Sequence, residues 1–290
     1  MQLTLQDAEL KALIRLLDDP DHDVYANVSD RLVSFGKMVV PILESEWECQ
    51  HQDSIQKRIE YIIDEIEYEH CVLKLDNWSK EASENLLLGS LITGSFQYPQ
   101  TDYEEIENVV ERFRKDIWLE LNDNLTSLEK VRVINHILFD VHHVKANHKY
   151  QKSHQSYFIQ NLLPEGSGSP MALAILYKIL ADKLDLPIVG IDLPHHFILG
   201  YRDVHNDTEN EMLFYINPFS KGAVFGRGEL ERYIEKSQLE TRVEDLKSIG
   251  NVKIIERLLI ELKGYYQELG KYKKLDQVNK LIQVLRASNK

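Results

Sequence analysis

The residues with the clearest chemical potential lie in one stretch, EGSGSPMALAILYKILADKLDLPIVGIDLPHHFILGY, from Glu165 to Tyr201, with FYINPF from Phe214 to Phe219 beyond it. Two hydroxyls, Ser167 and Ser169, sit between glycines at the start of an apolar segment. Two imidazoles, His195 and His196, open a later one. This looks like the frame of a nucleophilic active site, yet the residue that opens the apolar helix is Pro170. Pro170 has no side-chain heteroatom and cannot attack. It also has no backbone N–H, so it cannot give an oxyanion the donor that a nucleophile's own amide supplies. Losing one such donor costs roughly 10²–10³ in rate, and losing the nucleophile roughly 10⁶. A structural role fits Ser-Pro better: Ser169 as helix N-cap and Pro170 at the first helical position.

Histidines suggest a second chemistry. His136, His142, His143, His148 and His154 crowd one region, but a metal needs ligands converging on a point. His142 and His143 are neighbours and diverge on a helix by about 100°. No HExxH or C-x-x-C accompanies them, so the expectation is no metal and no cofactor.

The elements that must position these groups can be read from periodicity. Residues 1–75 give helices with apolar side chains three and four apart, as in LKALIRLLDD, broken at Pro20 and again at Gly36. They resemble HEAT-type units, whose single repeat must stack on a neighbour. Residues 76–145 give further helices. Residues 170–184 form a helix that is apolar nearly all round and therefore buried. PIVGID, HFILGY and MLFYINPF are strands, and RDVHNDTENE is a polar hairpin connection. Residues 249–290 form a helical pair around Gly270 that resembles a tetratricopeptide hairpin. The expected fold class is α+β and predominantly helical, one compact body in three segments: 1–75, 76–248 and 249–290.

A buried helix, then LDLPIVGIDLP, then a His-aromatic strand start, then a strand ending in Asn-Pro resembles the transglutaminase-like (papain-like) superfamily. QSYFIQNLLPEGSGSPMALAILYKILADKLDLPIVGIDLPHHFILGY is closer to its SirB-type branch, as are LLLGSLITGSFQYPQTDYEEI and VINHILFDV upstream. The chain departs from that branch at Gln155, where Asn is usual, and at Asp185, where Gly is usual. The resemblance implies that the family's catalytic Cys position falls on Pro170, its His on His196 and its Asp or Asn on Asn217. Proline at that position is typical of the branch. The implied site is a degenerate triad of His196, Asn217 and Ser169, with Asn217 orienting His196. The groove candidates are Ser167, Gly168, Pro170, Tyr157 and His195. An alternative keeps activity: an acyl hydrolase or peptidase using Ser169 or Ser167 with His196 and Asn217.

Composition bounds the partners. The 290-residue chain carries a net charge of −13, which argues against nucleic acid or an anionic membrane. Residues 1–75 hold 7 basic and 16 acidic side chains (−9), and residues 249–290 hold 9 and 4 (+5). Two cysteines, Cys49 and Cys71, give no disulfide framework, and the N-terminus lacks a signal-peptide pattern, so a cytoplasmic setting is expected. The sequence predicts a non-catalytic protein whose groove and helical flanks bind a protein or peptide.

Overall fold

The computed structural model describes residues 2–194, 196–203 and 211–288. The chain divides into two compact units rather than one body: Met1–Lys74 with Ser95–Pro99, and Leu75–Gly94 with Gln100–Lys290.

The first unit holds α1 (Gln2–Arg15), α2 (His22–Ser34), α3 (Val40–Cys49) and most of α4 (Asp53–Glu81). Asp21 caps α2 by accepting from the amides of Asp23 and Val24. Gly36, at φ +64°, takes the left-handed turn that follows the helix. These helices bury their apolar faces on one another, around Leu17, Leu32, Leu43, Ile59 and Ile62. This packing within the unit explains why the segment forms a body of its own. Arg58 ties it together. Its guanidinium donates to the carbonyls of Leu17 and Asp19 and lies 4.5 Å from the Tyr25 ring centre.

The second unit continues with α5 (Leu86–Ser95), α6 (Tyr103–Glu120) and α7 (Ser127–Asn135), which runs into a π-helical turn at His136–Val141. Then come β1 (Lys145–Ala146), α8 (Ile159–Glu165), β2 (Ser167–Gly168) and α9 (Pro170–Lys183). β3 (Ile188–Leu193), β4 (His196–Arg202), β5 (Met212–Asn217) and β6 (Ala223–Phe225) lead to α10 (Arg227–Lys236). β7 (Ser248–Ile249), α11 (Asn251–Glu268) and α12 (Tyr272–Ser288) complete it. The fold is therefore mostly helical with a small five-stranded antiparallel sheet, in the order β6-β5-β4-β3-β7. Of the expected connection 202–211, residues 204–210 lie outside the described residues.

α9 is the hub of this unit. Every side chain from Met171 to Ala181 is buried, as its all-round apolar sequence requires. Asn135 links three elements here. Its Nδ2 donates to the Gly222 carbonyl (2.8 Å) and its Oδ1 accepts from the Tyr177 hydroxyl (3.0 Å). Gly222 makes that approach possible, because a Cβ there would stand 1.8 Å from Asn135 Oδ1. After α9 the chain turns through Asp185 at φ +55°. Glycine reaches that region without strain and aspartate tolerates it, which accounts for glycine as the alternative residue.

Candidate functional site

The N-terminus of α9 is built as the sequence requires. Ser169 Oγ accepts from the Ala172 amide at 3.2 Å, and the Ser169 amide donates to the Ser156 carbonyl at 2.8 Å. Ser169 is 0% exposed. Pro170 follows at the first helical position, where no N–H is required. Ser167 and Gly168 form β2, paired in parallel with Lys145 and Ala146 of β1. Gly168 packs tightly: a Cβ would stand 2.5 Å from Leu162 Cδ1.

A cavity of about 820 Å³ opens beside this helix end, within the second unit. Pro170, His196, Asn217 and Tyr157 all line it, so the structure brings these four predicted residues to one wall. Ser167, Gly168 and Ser169 are not among the lining residues. His195 lies outside the described residues. His196 starts β4, in register with Leu193, and its ring meets the Tyr233 ring edge to face at 5.4 Å. Asn217 ends β5 and turns its carboxamide to its own corner. Oδ1 accepts from the Phe219 amide (3.1 Å) and Nδ2 donates to Ser220 Oγ (3.2 Å). One lone pair and one hydrogen remain beyond those two bonds.

No cysteine, serine or threonine is among the described residues that line the cavity. Cys71 is buried, and burial pushes its thiol up to about 11, far from a reactive thiolate. The other histidines scatter. His142 Nε2 pairs with Asp116 at 2.8 Å and stacks on Phe113. His136 pairs with Asp140, and His148 meets Phe219. His143 takes a left-handed turn. His154 lies near Tyr265 and Tyr266, where burial and then Lys271 and Lys274 hold its pKa down.

Sequence reasoning missed the opposite wall. α11 contributes Arg257, Glu261, Gly264, Tyr265 and Glu268, and α10 contributes Glu229, Leu230 and Tyr233. Arg257 Nε stands 3.6 Å from Asp192 and 3.8 Å from Glu261, close enough for ion pairing but not for a hydrogen bond. Burial raises the Glu261 pKa; Arg257 opposes this and Asp192 adds to it. Tyr157 is 5% exposed, and burial raises its phenol strongly, with further contributions from Glu261, Tyr150, Glu268 and Tyr265. A signal for this wall did exist in the sequence. Gly264 interrupts an otherwise strong helix, where a glycine is costly unless it has a use.

The arrangement is a helix end facing the His-bearing and Asn-bearing strands of an antiparallel sheet across an open cleft. A family model described as the transglutaminase-like superfamily matches residues 103–260. The chain belongs to that superfamily. Among relatives of this transglutaminase-like protein, F-box only protein 21 of Mus musculus is 25% identical over 151 residues, 51% of this chain and 23% of that protein. The chain thus spans about a quarter of that relative's length. A UPF0162 protein of Xylella fastidiosa (strain 9a5c) is 19% identical over 208 residues, covering 68% of this chain and 72% of the relative. UPF0162 protein YchA of Escherichia coli K12 is 23% identical over 175 residues, with 59% and 61% covered. No solved structure matches.

Proposed function

We propose that this transglutaminase-like protein, of the SirB-type branch, is catalytically silent and binds an extended peptide segment of a partner protein in the cavity beside His196. The observation that carries this reading is the α9 N-terminus. The residue it presents to the cavity is Pro170, while the adjacent hydroxyl, Ser169, is fully buried and caps the helix. A papain-like frame that keeps its cleft but not its nucleophile retains a binding site. A cavity of about 820 Å³ falls within the usual range for ligand pockets. The tetratricopeptide-like pair α11–α12 would extend the surface offered to the partner, and the HEAT-like helices of the first unit would offer a surface of their own. The expected setting is the cytoplasm.

The test is a fluorophosphonate probe combined with a display of random peptides. The expected outcome is no covalent labelling, and peptide capture that is lost when His196→Trp fills the cleft. Ser169→Ala should leave capture unchanged while lowering stability by about 1 kcal/mol through the lost cap. Stoichiometric labelling of Ser167 or Ser169 would overturn the reading and make the chain an acyl hydrolase.

A further inference from the structure

We infer that the cavity beside His196 recognises a cationic side chain, that of an arginine in a bound peptide, through an aromatic cage backed by carboxylates. The inference rests on the peptide-binding reading above and names the residue type that the groove selects.

Four aromatic rings on the cavity wall are linked in series. Phe219 lies 6.1 Å from Tyr150 at an interplanar angle of 80°, and Tyr150 lies 5.9 Å from Tyr157 at 76°. Tyr157 lies 5.9 Å from Tyr265 at 54°. Each ring is thus turned steeply against its neighbour, so the wall offers faces in several directions rather than one stacked column. Ring faces carry partial negative charge and attract cations, guanidinium above all.

The ionised groups on the lining favour the same ligand. Among the described residues, Glu229, Glu261 and Glu268 line the cavity against one cation, Arg257. Arg257 lies between Asp192 and Glu261 at ion-pair distance, so it offsets part of their charge and leaves Glu268 for a ligand, with the charge of Glu229, whose Oε2 accepts from the Gly226 amide, close by. The field at the Tyr157 hydroxyl is acidic, with Glu261 and Glu268 felt there and no cation among the influences on it.

A further observation points to an occupant. Gly264 lies in the interior of α11 on the cavity wall, and no neighbouring atom comes within 4 Å of the place its Cβ would take. Packing of the chain does not demand a glycine there. Close approach of a ligand to the helix backbone does.

The test uses four fluorescent pentapeptides, Ala-Gly-Xaa-Gly-Ala with Xaa as Arg, Lys, Leu or Glu, titrated into the full chain by anisotropy. The Arg peptide is expected to bind about ten-fold tighter than the Leu peptide, with Lys between them and Glu weakest. Glu268→Gln, on an exposed side chain, should remove most of the Arg preference and leave Leu binding unchanged. Gly264→Ala adds one methyl group to open space and should weaken every peptide while retaining the native circular dichroism. Equal binding of Arg and Leu, or a preference for Glu, overturns the cationic inference and leaves the groove reading standing. Failure of all four to bind overturns both.

Discussion

At the scale of single residues, Ser169 and Pro170 together set where α9 begins. Proline starts the helix and serine caps it. That much was legible in the dipeptide, because capping and N1 preferences are local. Asn217 was less so: its strand position was readable, but the bonds of its carboxamide to Phe219 and Ser220 depend on a three-residue turn. Glu261 was not legible as a site residue at all. Its surroundings include Asp192 of β3 as well as Arg257 of its own helix, a juxtaposition that no short-range pattern encodes. Because its folded pKa is raised, the folded state holds the proton more tightly than the unfolded chain does. Its contribution is therefore most favourable below the unfolded value, about 4.3, and is lost as pH rises through the folded value. Thermal melts of wild type and Glu261→Gln from pH 4 to pH 8 should show this loss in wild type and its absence in the variant.

At the scale of elements, the helices and three main strands follow from periodicity. α9 was the clearest, since apolar residues on every face leave burial as its one stable environment. β6 and β7, at three and two residues, carry too little pattern to be seen, and their pairing is fixed by neighbours already in the sheet. The π-helical turn after α7 was likewise invisible, because its residues keep helical spacing. α11 and α12 are joined by a polar contact as well as a core. Glu256 is 5% exposed and accepts from Lys253 Nζ at 2.7 Å and from Arg286 Nε at 2.6 Å. Burial pushes its pKa up, but Lys253 and Arg286 together outweigh this and hold it below the usual value. Its stabilisation is thus present above the unfolded pKa and lost as pH falls through the folded one. Glu256→Gln should cost about 1–2 kcal/mol at pH 7, since both former partners can turn to water. Urea titrations at pH 7 and pH 3 should show the gap close at the lower pH.

At the scale of the whole molecule, two compact units take the place of the single body that the continuous helical pattern suggests. Helical periodicity tells which face is buried, not against what. In the second unit the C-terminal pair is structural, and its first helix, α11, is also a wall of the cleft. Ile254, Ile255, Leu258, Leu259 and Leu262 of α11 and Val278, Leu281, Ile282 and Leu285 of α12 are buried. At roughly 1.5–3 kcal/mol each, losing even half of them, about 7–14 kcal/mol, is comparable to the 5–15 kcal/mol that stabilises a typical domain. A chain ending at Gly250 should therefore bind the dye ANS and lose cooperative thermal unfolding.

The enclosure of α9 from Met171 to Ala181 bears on how occupancy of the cleft can be detected. Amides of a helix with no solvent-facing side exchange with deuterium only when the surrounding unit opens as a whole. A ligand that binds only the closed form makes that opening rarer in proportion to its saturation. Slowly exchanging protons along Met171–Ala181 would then report a guest that touches the helix at Pro170 alone.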